Sequence, residues 1–275
     1  MRRWLGNCGA ALLVGIAIVL IVALPSLAAD YKPAAKPDWT VTLGVEGRYL
    51  PAFEGSDAYE FFPFPLFDVR RAGTPARFRS PRDGASIGIW ETDKFRFGPT
   101  LKVKLPRDQD DHADLRGLGD VDWAVELGVF AEYWPRDWLR GRVELRQGIG
   151  GHDGLVADVL ADVVVPVTPK LTLSAGPRLS IESKEAVSPY FSITSVQSAA
   201  SGLPVYDAGG GVHAYGAGAQ ARYQWNTRWA SHVFVEYKRL AGDAADSPLV
   251  VQRGTKDQFQ VGIGLSYSFD VPALW

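Results

Sequence analysis

Apolar and polar residues alternate one by one along most of the chain after Trp39. The clearest stretch is 259–269, where the apolar positions are Phe259, Val261, Ile263, Leu265, Tyr267 and Phe269, and small or polar residues separate them. A period of two places successive side chains on opposite faces of a β-strand. The same division recurs in stretches 39–49, 121–133, 139–146, 155–165, 171–182 and 233–238. The pattern predicts an all-β protein whose strands each have one apolar face.

A soluble β-sandwich also alternates in this way, but two further features favour a membrane barrel. Aromatic residues gather near the strand ends: Trp39, Tyr49, Tyr133, Trp134, Trp138, Tyr223, Trp225, Trp229, Tyr267 and Phe269. Tight turns at 91–94, 134–137, 167–170 and 225–228 alternate with longer connections at 106–119, 148–154, 183–208 and 241–256. Aromatic girdles, short periplasmic turns and long outer loops are typical of bacterial outer-membrane barrels. We therefore predict a transmembrane antiparallel up-and-down β-barrel.

The number of strands depends on how residues 75–91 are divided. One long strand there gives eleven strands in total, whereas bacterial single-chain barrels normally have an even number. Residues 80–84, Ser-Pro-Arg-Asp-Gly, have the composition of a turn and divide the stretch in two. We therefore predict twelve strands, with ten as the alternative, and place the loop at 51–58 on the outer side.

The start of the chain has the features of a cleaved signal peptide, residues 1–29. Arg2 and Arg3 precede an apolar run over 10–24, which is shorter than the ~20 residues that a spanning helix needs. Residues 30–38 are predicted to be a periplasmic lead-in, and residues 39–275 the barrel. The cleaved chain has 27 basic against 31 acidic residues and no cysteine, since Cys8 lies in the signal. This charge balance does not suggest a nucleic-acid partner.

Alternation also predicts which charged residues face the barrel interior. The acidic ones are Glu46, Asp122, Glu126, Glu132, Glu144, Asp158, Asp162, Glu182 and Glu236. The basic ones are Arg48, Arg96, Lys102, Lys104, Arg140, Arg142, Arg146, Arg178 and Lys238. Because the two signs balance, they can pair across strands. We favour an interior occupied by salt bridges over a narrow water-filled pore.

The sequence offers few candidates for catalytic or metal-binding residues. His152, in a glycine-framed outer loop, is the one residue at which catalysis would be sought, but no suitably spaced serine nucleophile or metal cluster accompanies it. We therefore predict no enzymatic activity and no catalytic, cofactor or metal residues. The long stretch 188–204 is interpreted as a lid over the barrel mouth or a partner surface, with disorder as the alternative.

Several short segments follow one another along the chain in a recognisable order. Their positions are Pro51, Glu54, Gly55, Ser56, Asp57, Gly151, His152, Gly154, Asp158, Ser188, Tyr190, Phe191, Gly202, Leu203, Pro204, Ser247, Pro248 and Phe269. Together they resemble the MipA/OmpV family of outer-membrane proteins. The chain continues past the terminal aromatic strand to Trp275, so either Phe269 or Trp275 serves as the terminal assembly signal.

The resemblance implies an outer-membrane barrel in contact with outer-membrane lipid. It also implies a scaffold in peptidoglycan remodelling, which bridges a murein lytic transglycosylase and a penicillin-binding protein. The alternatives are a narrow porin for small solutes or a surface adhesin, and a hydrolase at the outer rim is the least favoured. The family has no established catalytic residues that could be transferred to this chain.

Overall fold

The computed structural model describes residues 38–74 and 76–272. The predicted signal peptide, almost all of the lead-in, and Trp275 lie outside these residues. Within the described ranges, no helix combines the length and apolar character needed to cross a membrane.

The described chain is built mainly of strands. They are β1 Trp39–Pro51, β2 Tyr59–Arg71, β3 Ala85–Ser86, β4 Trp90–Glu91, β5 Phe95–Lys104, β6 Ala124–Arg136, β7 Leu139–Gly150, β8 Leu155–Pro166, β9 Leu171–Glu182, β10 Gly211–Gln224, β11 Trp229–Leu240 and β12 Asp257–Val271. The helices are α1 Lys184–Phe191, α2 Ser195–Ser201, α3 Gly242–Asp246 and α4 Pro248–Arg253, with a 3₁₀ turn at Ala113–Leu115.

The strands form one antiparallel sheet that curls into a nearly closed barrel. Its order is β2-β1-β12-β11-β10-β9-β8-β7-β6-β5-β3, with β4 also paired to β5. Because β1 pairs with β12, from Trp39 opposite Val271 to Tyr49 opposite Val261, the first and last strands meet. The predicted all-β, up-and-down barrel is confirmed. Of its twelve strands, ten are long and β3 and β4 have two residues each.

The alternation in the sequence corresponds to the two surfaces of this barrel. In β8, the side chains of Val156, Asp158 and Asp162 are buried, whereas those of Val159 and Val163 are exposed. The exposed set is the apolar belt expected to face lipid. The buried set points into the barrel, so the interior contains both apolar and charged side chains.

Residues 76–94 fold differently from the prediction. The expected turn at 80–84 exists, since the N–H of Asp83 donates to the Ser80 carbonyl (3.0 Å), but it lies inside the barrel rather than between two full strands. We call residues 80–84 the inner segment. The stretch before it does not form the predicted strand, because Arg82 and Asp83 are held by inward-facing charges on β11 and β7, Glu236 and Arg140. The position of the inner segment leaves only the short strands β3 and β4 along β5.

The two ends of the barrel differ strongly. At the turn end, tight turns join the strands, as where the N–H of Val167 donates to the Leu171 carbonyl (2.8 Å). At the other end, the long loops pack together into what we call the cap. Its apolar core includes Phe53, Leu115, Leu118, Val187, Tyr190, Phe191, Ile193, Leu203, Ala244, Leu249 and Val250. By the usual orientation of bacterial barrels, the turn end is periplasmic and the cap lies outside.

The stretch 188–204 is an ordered part of the cap. It contains the second half of α1 and all of α2, and Phe191 and Ile193 are fully buried. At the start of α2, Thr194 and Gln197 form a reciprocal capping box, and Gly202 ends the helix with a φ of 77°. The stretch is therefore an ordered cover over the barrel and not a disordered loop.

Candidate functional site

A network of buried ion pairs fills one side of the barrel interior. Arg140, on β7, has no solvent exposure and donates to Asp83 (2.6 Å), Glu132 (2.8 Å) and Asp162 (2.8 Å). The wall of β6 to β8 supplies two of these carboxylates, whereas Asp83 comes from the inner segment. A buried charge is stable only when several partners satisfy it, so the removal of one partner is costly.

A second buried arginine sits nearer the cap on the same strand. Arg146 donates to Glu126 (2.8 Å), Glu144 (2.5 Å) and Asp158 (2.6 Å). Since Arg140 and Arg146 share the inward face of β7, the two arginine clusters stack along the barrel axis. This side of the interior is therefore closed by side chains.

The inner segment is tied into this network at several points. Arg82 donates to Glu236 (2.6 Å), to Ser180 (2.6 Å) and to Asp158 (3.3 Å). The N–H of Gly84 donates to Glu144 (3.0 Å). The segment thus crosses the interior and connects β7, β8 and β9 with β11 on the far side.

Most of the predicted interior charges are buried or half-buried within the barrel. Those buried are Glu46, Glu126, Glu132, Arg140, Arg142, Glu144, Arg146, Asp158, Asp162, Arg178, Glu182 and Glu236. Those half-buried are Arg48, Arg96, Lys102, Lys104 and Lys238. Each lies within salt-bridge distance of an opposite charge or, for Glu182, of His213.

Asp122 does not follow the prediction. It lies before β6 begins at Ala124, and its side chain is exposed. The strand starts later than the alternation suggests, because Val121 forms an isolated bridge with Arg107 in the cap rather than part of the wall. Asp122 is therefore not an interior residue.

Glu54, from the loop at 51–58, forms a polar cluster beneath the cap. Its carboxylate accepts hydrogen bonds from Lys238 (2.5 Å) and His213 (2.8 Å) and lies 3.3 Å from the ammonium of Lys104. Burial alone would raise the pKa of Glu54, but Lys238, Lys104 and His213 hold it well below its usual range. Glu54 is thus a charged latch between the loop and the barrel wall.

His152 lies buried at the base of the cap. Its Nδ1 atom accepts a hydrogen bond from the N–H of Gly154 (3.3 Å), and its Nε2 atom lies 3.3 Å from Glu126. The ring also makes an edge contact with Tyr190. With both ring nitrogens engaged and no exposure of the side chain, this histidine is built into the packing of the cap.

The other positions that carry the family resemblance converge on the same region. Gly55 adopts a φ of 98° and donates to Gln258, while Ser247 donates to the Phe191 carbonyl (2.7 Å). Buried members of the set also include Ser56, Gly154, Tyr190, Leu203 and Pro248. Pro51, Gly151, Ser188, Gly202, Pro204 and Asp57 lie in or beside the same loops, with Asp57, Gly202 and Pro204 exposed. Phe269 is set apart, on β12 opposite Val41.

Alternation could not reveal several residues that matter here. Arg82, Asp83 and Glu54 lie outside regular strands, where a period of two assigns no direction. The only local signal for Arg82 and Asp83 was the turn composition of 80–84. His213 and His232 do lie on strands, and each pairs with a glutamate, Glu54 and Glu46 respectively.

Comparison with known proteins agrees with these features. Residues 43–269 match the family model described as MltA-interacting protein MipA. A search of curated protein sequences returns no match. Among solved structures, the chain is similar to the NanC porin, with 11% identity over 82% of this chain and 98% of that chain and a TM-score of 0.45.

A second similar structure is the COG4313 outer membrane channel from Pseudomonas putida F1. It is 12% identical and covers 89% of this chain and 100% of that chain, with a TM-score of 0.42. The family match extends over nearly the whole barrel, from β1 to β12. The chain belongs to the MipA family and is an outer-membrane β-barrel protein.

Proposed function

We propose that this protein is a non-enzymatic scaffold, which holds a murein lytic transglycosylase at the inner surface of the outer membrane. The observation that carries the proposal is the occupied interior. The inner segment crosses the barrel, the arginine clusters of β7 fill one side of its interior, and the cap covers its outer end. A barrel filled in this way is suited to hold a partner rather than to pass solutes.

The family supports the same role. Its description names a member that interacts with the transglycosylase MltA. In this chain, most positions of the family resemblance pack the cap and the loop at 51–58, so they stabilise the barrel rather than line a solute path. We extend the proposal to a penicillin-binding protein as a second partner, which the transglycosylase would recruit.

The partner surface is proposed at the turn end, which faces the periplasm. Arg136 and Arg228 are exposed there, in the β6–β7 and β10–β11 turns. Asp38, the last residue of the predicted lead-in, lies at the same end, next to Trp39. Short turns offer a small surface, so the lead-in is expected to share the binding.

The test is capture of a purified lytic transglycosylase by the folded barrel in lipid nanodiscs. Arg136→Glu with Arg228→Glu should reduce capture, whereas Lys184→Glu with Lys256→Glu, at the cap end, should leave it unchanged. Absence of capture by the wild-type barrel, or equal loss in both double variants, would refute the scaffold role.

Planar-bilayer conductance separates this proposal from the narrow-porin alternative. The folded wild-type barrel should give no steady single-channel current, because the interior is filled. A reproducible ohmic conductance from the same preparation that captures no transglycosylase would favour the porin instead.

A further inference from the structure

The barrel has one seam that is not closed by backbone hydrogen bonds. β2 and β3 are the two ends of the hydrogen-bonded strand order. One edge of β2 therefore has no strand partner among residues 38–74 and 76–272. β2 and residues 85–91 both run from the cap end towards the turn end. We call the space between them the seam.

The hydrogen bonds at the ends of β2 show which of its backbone groups face the seam. Ala52 donates to the Ala58 carbonyl, and Ala72 donates to that of Asp38, so even-numbered residues of this strand pair with β1. The odd-numbered residues face the seam. Two of them, Pro63 and Pro65, have no N–H to donate. The edge thus offers more carbonyl acceptors than donors.

This imbalance limits what can cover the edge. An added β-strand needs donors as well as acceptors, so the two prolines disfavour strand pairing with another protein. A group rich in donors fits better. Such a contact already exists, since the guanidinium of Arg79 donates to the Phe67 carbonyl (3.2 Å).

The seam is lined by apolar side chains at the level of the lipid. Phe61 and Phe67 flank it on β2, with exposures of 66% and 62%. Across the seam, Ile87 and Ile89 are 68% and 71% exposed, more than any apolar side chain on the ten long strands. The two sides form an apolar groove along the open sheet edge. The bilayer there provides no water that could donate hydrogen bonds to the free carbonyls of this edge.

Positive charge gathers where the seam reaches the turn end. Arg77 and Arg79 bring their guanidinium groups to this end of the seam, within 4.0 Å of Glu91 and Asp68 respectively. These two carboxylates are shared with two further arginines, Arg96 and Arg70. Arg70 itself donates to Thr42 of β1 (3.3 Å), and Arg71 lies over the ring of Trp39. The side chains of Arg77 and Arg79 are 44% and 39% exposed. The excess of positive charge thus lies at the inner, phospholipid leaflet.

We propose that the seam binds an anionic phospholipid of the inner leaflet, with acyl chains along the apolar groove and the phosphate among the arginines. Arginine forks match phosphate oxygens, and basic clusters at the membrane surface attract anionic lipids. Phosphatidylglycerol also carries headgroup hydroxyls, which can donate to the free carbonyls of the edge. Charge, apolar lining and excess acceptors are therefore matched by one ligand.

The test is native mass spectrometry of the full barrel released from nanodiscs that contain equal phosphatidylglycerol and phosphatidylcholine. The wild type should retain phosphatidylglycerol preferentially. Arg77→Gln with Arg79→Gln should lower that preference by about fivefold for each arginine removed. Arg136→Gln with Arg228→Gln, exposed arginines at the same end but away from the seam, should retain it.

A second pair of variants tests the groove. Ile87→Ser with Ile89→Ser should reduce retention of both lipids, because it removes apolar surface without changing charge. Equal retention of the two lipids by the wild type would overturn the proposal. Loss of preference in the Arg136 and Arg228 control equal to that at the seam would do the same. The wild-type measurement decides the matter even if a seam variant fails to fold.

Discussion

The Oδ2 atom of Asp83 lies 2.6 Å from the Nη2 atom of Arg140, so the inner segment supplies a counter-charge to a fully buried arginine of the barrel wall. Arg140 also contacts Glu132 and Asp162. The pair therefore joins the inner segment to the buried network. Without Asp83, Arg140 would have two carboxylate partners, both from the strands, rather than three.

Asp83→Asn should destabilise the barrel by about 3 kcal/mol, because it leaves a buried guanidinium with one fewer negative partner. Urea unfolding in lipid, followed by tryptophan fluorescence, measures the change. The matched control is Asp246→Asn, which removes an exposed pair with Lys256 and should cost less than about 1 kcal/mol. Similar losses in the two variants would contradict the role assigned to Asp83.

Glu54→Gln should loosen the cap at neutral pH. The folded protein holds the pKa of Glu54 well below its usual range, since Lys238, Lys104 and His213 outweigh the effect of burial. A depressed pKa contributes stability that is present above the unfolded value, about 4.3, and is lost as the pH falls through the folded value. The wild type should therefore keep this contribution down to about pH 4.

Limited proteolysis of the cap loops across pH 3 to 8 measures this effect. The difference in protection between wild type and Glu54→Gln should be constant at neutral pH and shrink only in strong acid. A difference that disappears near pH 6 would show that histidine titration, rather than the Glu54 carboxylate, controls the latch.

Gly84→Ala should destabilise the protein by about 1 to 3 kcal/mol, because the added methyl group overpacks the interior. A Cβ atom at Gly84 would lie 3.0 Å from the Leu101 carbonyl oxygen and close to the Thr100 hydroxyl. Gly141→Ala is the control, since its nearest neighbour is the Tyr133 carbonyl at 4.0 Å. Thermal shifts of the heat-modifiable gel band compare the two, and an unaffected Gly84→Ala would argue that the inner segment is mobile.

His152→Ala should lower the stability of the cap by about 1 to 3 kcal/mol, because the N–H of Gly154 loses its buried acceptor. His112→Ala, at a half-buried histidine that contacts Glu60 (3.0 Å), should have a smaller effect. Lipid and peptide hydrolysis should be at background in both wild type and variant. Hydrolysis that vanishes in His152→Ala would instead restore the outer-rim hydrolase.

The sequence predicts the wall of this barrel well, because the alternation within a single strand is enough to tell which of its side chains face inwards and which face outwards. The alternation in 259–269 is seen in β12, where Phe259, Val261, Ile263 and Leu265 are exposed. The prediction from alternation fails where the backbone leaves the sheet. Asp122 has the right parity but lies before its strand, and nothing local indicates that Arg82 and Asp83 turn inwards to partners on β7, β8 and β11.

The candidate site was harder to predict for a related reason. Glu54 meets Lys104, His213 and Lys238 only because three distant elements converge beneath the cap. Sequence order carries no information on such a meeting. The family resemblance marked Glu54 as a position of interest, but the contacts that explain it are tertiary.

The pairing of β1 with β12 also constrains the order of assembly. The Thr40 hydroxyl donates to Asp270 (2.6 Å) across 230 positions of the chain. Contacts between such distant residues form slowly, because a long loop must close first. Until Asp257–Val271 has been delivered, the β12-facing edge of β1 is an unpaired template for aggregation. Closure of the barrel must therefore wait for the last strand, so membrane insertion cannot be completed one hairpin at a time.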